Sequence, residues 1–232
     1  MKVRGNRECR SCGTRWSYFE TGSVACPDCG SLDSRGVGER AEHTAGPAPL
    51  DLSGARGAVD AEPLREVADR AAEAAAEYLR QAGFVYAGQL QSLTETYLAA
   101  AELRRVGATL SRAMRVDDAE GLYFLSLLEG AEEGRRPPPE EVPEGLWAER
   151  GLAVAAAVDA YLSDLRRVRE APGPDLAPVL STLRARRKRI EALDGDVDPA
   201  EAERVVRTLR DVAAYVREDD EAALVRAEER LE

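Results

Sequence analysis

From about Pro63 to the C-terminus, apolar residues recur every three or four positions, the period of an amphipathic helix. Leu64, Val67, Ala68, Ala71, Ala75 and Leu79 mark a first helix with an alanine-rich face, and Gly83 reads as its C-cap. Small side chains on that face permit close approach of a second helix. That helix carries Leu90, Leu93, Tyr97, Ala101, Leu103, Val106 and Leu110 and ends near Arg115. Asp117 with Glu120 is a capping signal for a shorter helix bearing Leu122, Leu125 and Leu128. The run Gly134 to Pro143, with three consecutive prolines, predicts a rigid extended break. Pro143 or Glu144 opens a long helix with Leu146, Trp147, Val154, Val158, Tyr161, Leu162, Leu165 and Val168, and Pro172-Gly173-Pro174 stops it. Leu176, Val179, Leu180, Leu183, Ile190 and Leu193 define a fifth. Asp198-Pro199-Ala200-Glu201 starts the last, with an acidic N-cap and proline in the first turn. It carries Val205, Leu209, Val212 and Val216 and is expected to continue through Leu224. Six helices joined by short breaks predict one bundle with antiparallel neighbours, and an alanine seam leaves a homodimer open. No strand alternation follows residue 30, and no internal repeat is evident.

The first 62 residues break this pattern. Residues 1–35 hold all four cysteines, as Cys9-Arg10-Ser11-Cys12-Gly13 and Cys26-Pro27-Asp28-Cys29-Gly30. Residues 36–62 are rich in Gly, Pro and small side chains and read as a linker, with Leu50 and Leu52 able to pin it to a surface. His43 is the sole histidine; its simplest reading is a solvated linker residue. The expected organisation is therefore a β zinc ribbon over 1–35, a linker over 36–62 and an acidic helical bundle over 63–232, a mainly α chain.

Two CxxC pairs at this separation point to a tetrahedral tetrathiolate metal site held by Cys9, Cys12, Cys26 and Cys29. Two intervening residues let both sulfurs of a pair turn toward one ion. A glycine after each second cysteine supplies the positive φ of such a turn, and backbone amides there donate to the thiolates. Zinc is the expected ion, because a ribbon this small lacks an apolar core and metal binding supplies folding energy. Iron, as in a rubredoxin-like electron carrier, is the alternative. A redox dithiol fits less well, since no βαβ pattern surrounds the motif. Four cysteine ligands leave no open coordination position, which argues against a metal catalyst. Between the knuckles, Arg15 to Ala25 fits a short hairpin turning at Thr21-Gly22-Ser23. Trp16, Tyr18 and Phe19 read first as the ribbon's miniature core. Trp16, Tyr18 and Arg15 are also the candidates for contact with a partner.

Charge sharpens the picture. The 232-residue chain has a formal net charge of −11. The excess lies beyond residue 46: the first 46 residues hold seven Lys/Arg against six Asp/Glu. Only Lys2 and Lys188 are lysines, against thirty arginines. Acid excess with scarce lysine is expected of a protein from a salt-rich cytoplasm. No signal-like run or membrane-length apolar stretch occurs, so the expected location is cytoplasmic, with no membrane partner.

Catalytic signatures are missing. There is no GxxxxGK[ST], GxGxxG, GxSxG or HExxH, and the pairs Asp117/Asp118, Glu132/Glu133 and Asp219/Asp220 read as solvated surface. The expectation is a non-enzyme. Arg184, Arg186, Arg187, Lys188 and Arg189 form the one basic cluster, but at 100° per residue they spread around their helix. Salt bridges to the many carboxylates explain them better than nucleic-acid phosphate, so direct nucleic-acid binding is not the favoured reading.

The ribbon resembles those of the archaeal and eukaryotic transcription factor B type and the knuckles of rubredoxin. The wider run from Glu8 to Gly30 is similar to the opening of an uncharacterised haloarchaeal family whose members place such a ribbon before an acidic helical domain. That resemblance implies that Cys9, Cys12, Cys26 and Cys29 are the metal ligands. It implies no activity. Two cyclin-like repeats follow the ribbon of transcription factor B, and none is found here. A metal ribbon on a helical bundle also resembles rubrerythrin-like proteins, whose di-iron site needs histidines that this chain lacks beyond position 43. The function expected is thus a zinc-binding adaptor or regulator, its ribbon contacting a protein or nucleoprotein partner. The alternatives are the rubredoxin-like iron carrier and a transcription- or RNA-associated regulator.

Overall fold

The computed structural model of the chain describes residues 1–47, 49–169 and 171–231. It is mainly α, with a small β region at the N-terminus. Strands β1 (Lys2–Cys9), β2 (Arg15–Ser17) and β3 (Ser34–Glu42) form an antiparallel sheet in the order β2-β1-β3. The hairpin expected within residues 15–25 does not form. After β2, Ser17 caps a single helical turn, α1 (Tyr18–Thr21), by accepting from the Glu20 amide, and Gly22 at φ 62° ends it. Strand β3 is the missing partner. Its Gly and charged residues hide the alternation that marks a strand, because only its pairing with β1, not a buried face, holds it in place.

The segment expected to be a linker is therefore structured over much of its length. Besides β3 it contains α2 (Ser53–Arg56), and Leu50 and Leu52 are buried as expected. Next come α3 (Leu64–Gln81) and a two-residue-per-strand hairpin, β4 (Val85–Tyr86) and β5 (Gln89–Leu90). Ala87 and Gly88, both at positive φ, make its turn. Leu90, expected to lie in a helix, belongs to this hairpin; Thr94 starts α4 (Glu95–Arg112) by accepting from the Tyr97 amide.

The predicted capping box is present: Asp117 and Glu120 exchange hydrogen bonds at the start of α5 (Asp118–Gly130). This helix buries Tyr123, Phe124, Leu127 and Leu128, whereas Leu122, expected in the core, is 69% exposed. The prolines that follow are not simply extended but hold short 3-10 turns at Pro139–Glu141 and Glu144–Leu146. Then come α6 (Trp147–Val168), α7 (Leu176–Ala192) and α8 (Pro199–Glu218). The last helix does not run on through Leu224. Asp219 adopts φ 58° and Asp220 caps a separate α9 (Glu221–Glu229). Among the described residues, six helices of thirteen or more residues thus make up the body, as the periodicity predicts.

Two apolar clusters fill it. One lies among α2, α3, α4 and α5; the other joins the hairpin to α6, α7, α8 and α9. The alanine face of α3 meets α4 so closely that a Cβ on Gly107 would lie 2.5 Å from the Ala68 carbonyl oxygen. The expected role of small residues in close helix approach is thereby realised within the chain.

Candidate metal centre

The two knuckles are near copies. The Cys9 amide donates to the Thr14 carbonyl and the Cys26 amide to that of Ser31, both at 2.9 Å. The Gly13 and Gly30 amides return to the Cys9 and Cys26 carbonyls, at 3.1 and 2.9 Å. These closures require positive φ, and Gly13 (79°) and Gly30 (72°) supply it. The result brings four Sγ atoms within 4.8 Å of one another. Cys9 Sγ lies 3.6 Å from Cys29 Sγ, and Cys12 Sγ the same distance from Cys26 Sγ. Both separations exceed the S–S bond length of about 2.05 Å, so no disulfide links them. They match the edge of about 3.8 Å expected for a tetrahedron with metal–sulfur bonds of about 2.3 Å. Cys9 and Cys26 are buried and Cys12 and Cys29 exposed, so the centre sits at the ribbon's tip.

Charge in the cluster also fits a cation. The amides of Cys12 and Ser11 pull the Cys9 thiol down to about 6, and those of Cys29 and Asp28 lower Cys26. The Ser31 amide acts in the same sense on Cys29, but the neighbouring Cys12 and Cys9 thiols outweigh it and push Cys29 up to about 12. Thiolates packed this tightly repel one another, and a divalent cation that displaces the remaining protons removes that repulsion.

Trp16 packs with Cys9 and Cys26, is 8% exposed and donates its indole N–H to the Ser23 carbonyl at 3.1 Å. It belongs to the core of the ribbon. Arg15 is exposed, but its guanidinium is paired with Glu8 at 2.9 Å, and Glu8 also holds Arg35 at 2.8 Å. Tyr18, half-buried, lines a cavity of about 490 Å³ on the sheet, together with Val24, Gly36 and the cations Lys2, Arg4, Arg7 and Arg40.

No sequence pattern signals how firmly the ribbon is seated on the helices. Phe19 lies over Gly5, where a Cβ would come within 2.0 Å of its ring. Its other contacts are His43, with ring centroids 4.4 Å apart, and Tyr86 of the hairpin, at 5.8 Å. His43 is thus not a solvated linker residue. Its Nδ1 accepts the Ala87 amide at 3.3 Å, and burial pushes its pKa below the usual histidine range, helped by the nearby N-terminal amine. Beneath it, the buried Asp164 of α6 accepts from Thr44 Oγ1 at 2.5 Å and the Phe84 amide at 2.8 Å. The Thr44 and Ala45 amides donate to the Val85 carbonyl.

A second group of buried charges escaped sequence reasoning. Glu102 (α4), Arg136 and Arg150 (α6), Glu203 (α8) and the phenol of Tyr123 (α5) form a network between the two apolar clusters. No spacing signals it, because its members lie on four helices and a proline-rich loop. By contrast, the Arg184–Arg189 run largely dissolves into internal contacts. Arg187 pairs with Asp159 and Glu191, Arg189 with Glu201, and Arg186 donates to the Leu231 carbonyl.

The fold and the site together define a mainly α protein that carries a four-cysteine, metal-compatible centre at its N-terminus. The chain belongs to a family of unknown function, DUF7117, whose model matches residues 1–231. No curated protein and no solved structure matches it. Among the described residues, no helix is long and apolar enough to cross a membrane.

Proposed function

We propose that the chain is a zinc-stabilised, non-enzymatic adaptor of the cytoplasm, in which the ribbon is the recognition module and the helical body its rigid mount. The observation that carries this reading is the closed set of four cysteine sulfurs on a ribbon fixed to the body by Phe19, His43, Thr44 and Asp164. Four protein ligands complete a tetrahedron, so a bound ion has no position for a substrate and acts structurally. Zinc fits this role because it has no redox chemistry and supplies folding energy to a module whose own core is three residues.

The test uses the full chain, expressed in a high-salt host and compared with Cys26→Ser. One equivalent of zinc in a colourless native protein, and loss of its captured partners in the variant, support the reading. A red protein containing iron overturns it in favour of an electron carrier. Partners unchanged by Cys26→Ser move recognition to the helical body.

A further inference from the structure

Resting on that reading of the ribbon, we propose that the cleft on its sheet binds single-stranded nucleic acid, with Lys2, Arg4, Arg7 and Arg40 on the phosphates and Tyr18 beside a base. These four cations line one cavity with Tyr18 and Val24. Among the described residues none of the four makes an ion pair with a carboxylate, whereas the other ribbon arginines do: Arg10 with Asp33, and Arg15 and Arg35 with Glu8. Glu42, the carboxylate opposite Lys2 in the ladder, is taken by the amine of Met1 at 2.9 Å. In a chain of net charge −11, unpaired cations gathered in one cleft are a local reversal of sign.

The backbone brings them together at a cost. Arg4 faces Arg40 directly across the β1/β3 ladder, and like charges so placed destabilise a sheet. The register shifts between Arg4 and Asn6, where β3 accommodates one extra residue around Gly38 at φ 85°. Gly36 then leaves room for the Arg4 stem, because a Cβ there would lie 3.0 Å from Arg4 Cβ. Arg4 and Arg7, three positions apart on one strand, both line the cleft. Arg7 is already aimed: Nε and Nη2 donate to Ser34 Oγ at 3.1 and 2.9 Å, and Ser34 Oγ donates to the Val24 carbonyl. Its Nη1 makes no such bond.

Charge complementarity calls for a polyanion. The partly exposed ring of Tyr18 and the exposed Val24 among the cations distinguish the type, since an unpaired base offers a π-face next to its own phosphate. An acidic protein segment does not place a ring beside every charge as a nucleotide does, and a duplex keeps its bases stacked inside.

The probe is a fluorescein-labelled 12-nucleotide oligouridylate, titrated with zinc-loaded full chain at several KCl concentrations and read by anisotropy. Four phosphate contacts predict a slope of log K against log[KCl] of about −2.8, falling to about −1.4 in Arg4→Ala/Arg40→Ala. That double variant should weaken binding at least tenfold at the lowest salt. Tyr18→Ala should weaken it about fivefold or more. Arg184→Ala/Lys188→Ala, which removes the same charge from the body, should leave it unchanged. No binding by the native chain, equal loss in the body variant, equal affinity for a 12-base-pair duplex, or equal displacement by polyglutamate overturns the proposal. Zinc content and circular dichroism are recorded for each variant. A normal ribbon that ignores the oligonucleotide, yet still captures a partner lost in Cys26→Ser, would defeat this inference and leave the adaptor reading intact.

Discussion

Replacing Glu102 by Leu should be among the most damaging single changes in the helical body. Glu102 is fully buried. One carboxylate oxygen accepts from the Tyr123 hydroxyl and from Arg150 Nη1 at 3.2 Å; the other lies 3.4 Å from Arg136 Nη1 and 3.2 Å from Arg150 Nη1. Glu203 neutralises the second positive charge, at 2.7 Å from Arg136 and 3.5 Å from Arg150. Glu95 also holds Arg136, at 3.3 Å, and Arg210, at 2.7 Å, so three carboxylates balance three guanidiniums, and the Glu102 end of the network is closed to water. The Leu variant leaves one buried positive charge uncompensated and the phenol without its carboxylate acceptor. Breaking a buried pair in this way costs about 3–5 kcal/mol, a large part of the ~5–15 kcal/mol of a typical domain. Urea unfolding at high KCl, followed by far-UV circular dichroism, measures it. Glu102→Leu/Tyr123→Phe/Arg150→Met removes the charge, the phenol and the partner together and leaves the Arg136–Glu203 pair intact. It should recover most of the loss, because the penalty belongs to the orphaned charge and not to the absence of a salt bridge. A cost below about 1 kcal/mol for Glu102→Leu, or a triple variant worse than the single, would refute the reasoning.

Cys26→Ser should abolish metal binding and unfold the ribbon while far-UV circular dichroism keeps most of its helical signal, because the two body clusters contain none of the ribbon's core residues; loss of both signals together would show one cooperative unit. Gly107→Val should cost at least about 1–3 kcal/mol in urea unfolding, because any Cβ there meets the Ala68 carbonyl of the facing helix; a neutral result would mean that α3 and α4 can separate freely. His43 has a folded pKa below its ordinary 6.5, through burial first and the N-terminal amine second. Above pH 6.5 its neutral ring contributes fully. As pH falls below 6.5 the unfolded state takes up a proton that the folded state resists, so stability is lost with acidification. Native and His43→Phe proteins compared by urea midpoint at about pH 7.5 and 5.5 should show the larger acid loss in the native chain; equal losses would exclude His43 as a contributor.

What the sequence carries well is whatever repeats or is spaced by local geometry. Helices α3 to α8 are legible because each has to bury one stripe, and the stripe recurs at the helical period. Asp117 with Glu120, and Asp198 with Pro199, mark helix starts because capping chemistry is confined to four residues. The cysteines are legible for the same reason, since a knuckle is a turn of fixed length. The misses share the opposite property. Strand β3 is held by β1 from some thirty residues away. Asp219 ends α8 through a left-handed conformation that its own side chain does not announce. Leu122 fits a helical stripe yet points to water, because Tyr123 and Phe124 face the core. Arg136, Arg150, Glu102 and Glu203 are indistinguishable in sequence from the solvated charges around them. Only the packing of four helices makes them a network.

The same limit explains why the sequence draws attention to cations other than those of the cleft. Five basic residues among the six at Arg184–Arg189 attract notice, yet the helix disperses them, and acids of the body take up several. Lys2, Arg4, Arg7 and Arg40 attract none, because two strands and a register shift are needed to gather them. Their setting also constrains what they can hold. The ribbon's 42–46 edge is bound to the hairpin and α6, so the cleft keeps a fixed orientation on a body that carries most of the chain's negative charge. A long polyanion laid across the molecule would meet that charge beyond the ribbon, where only screening by salt reduces the repulsion. On the proposal above, the arrangement favours a short, unpaired segment, such as a loop or an end, over an extended duplex. It also predicts that lengthening the oligouridylate beyond the cleft adds little affinity.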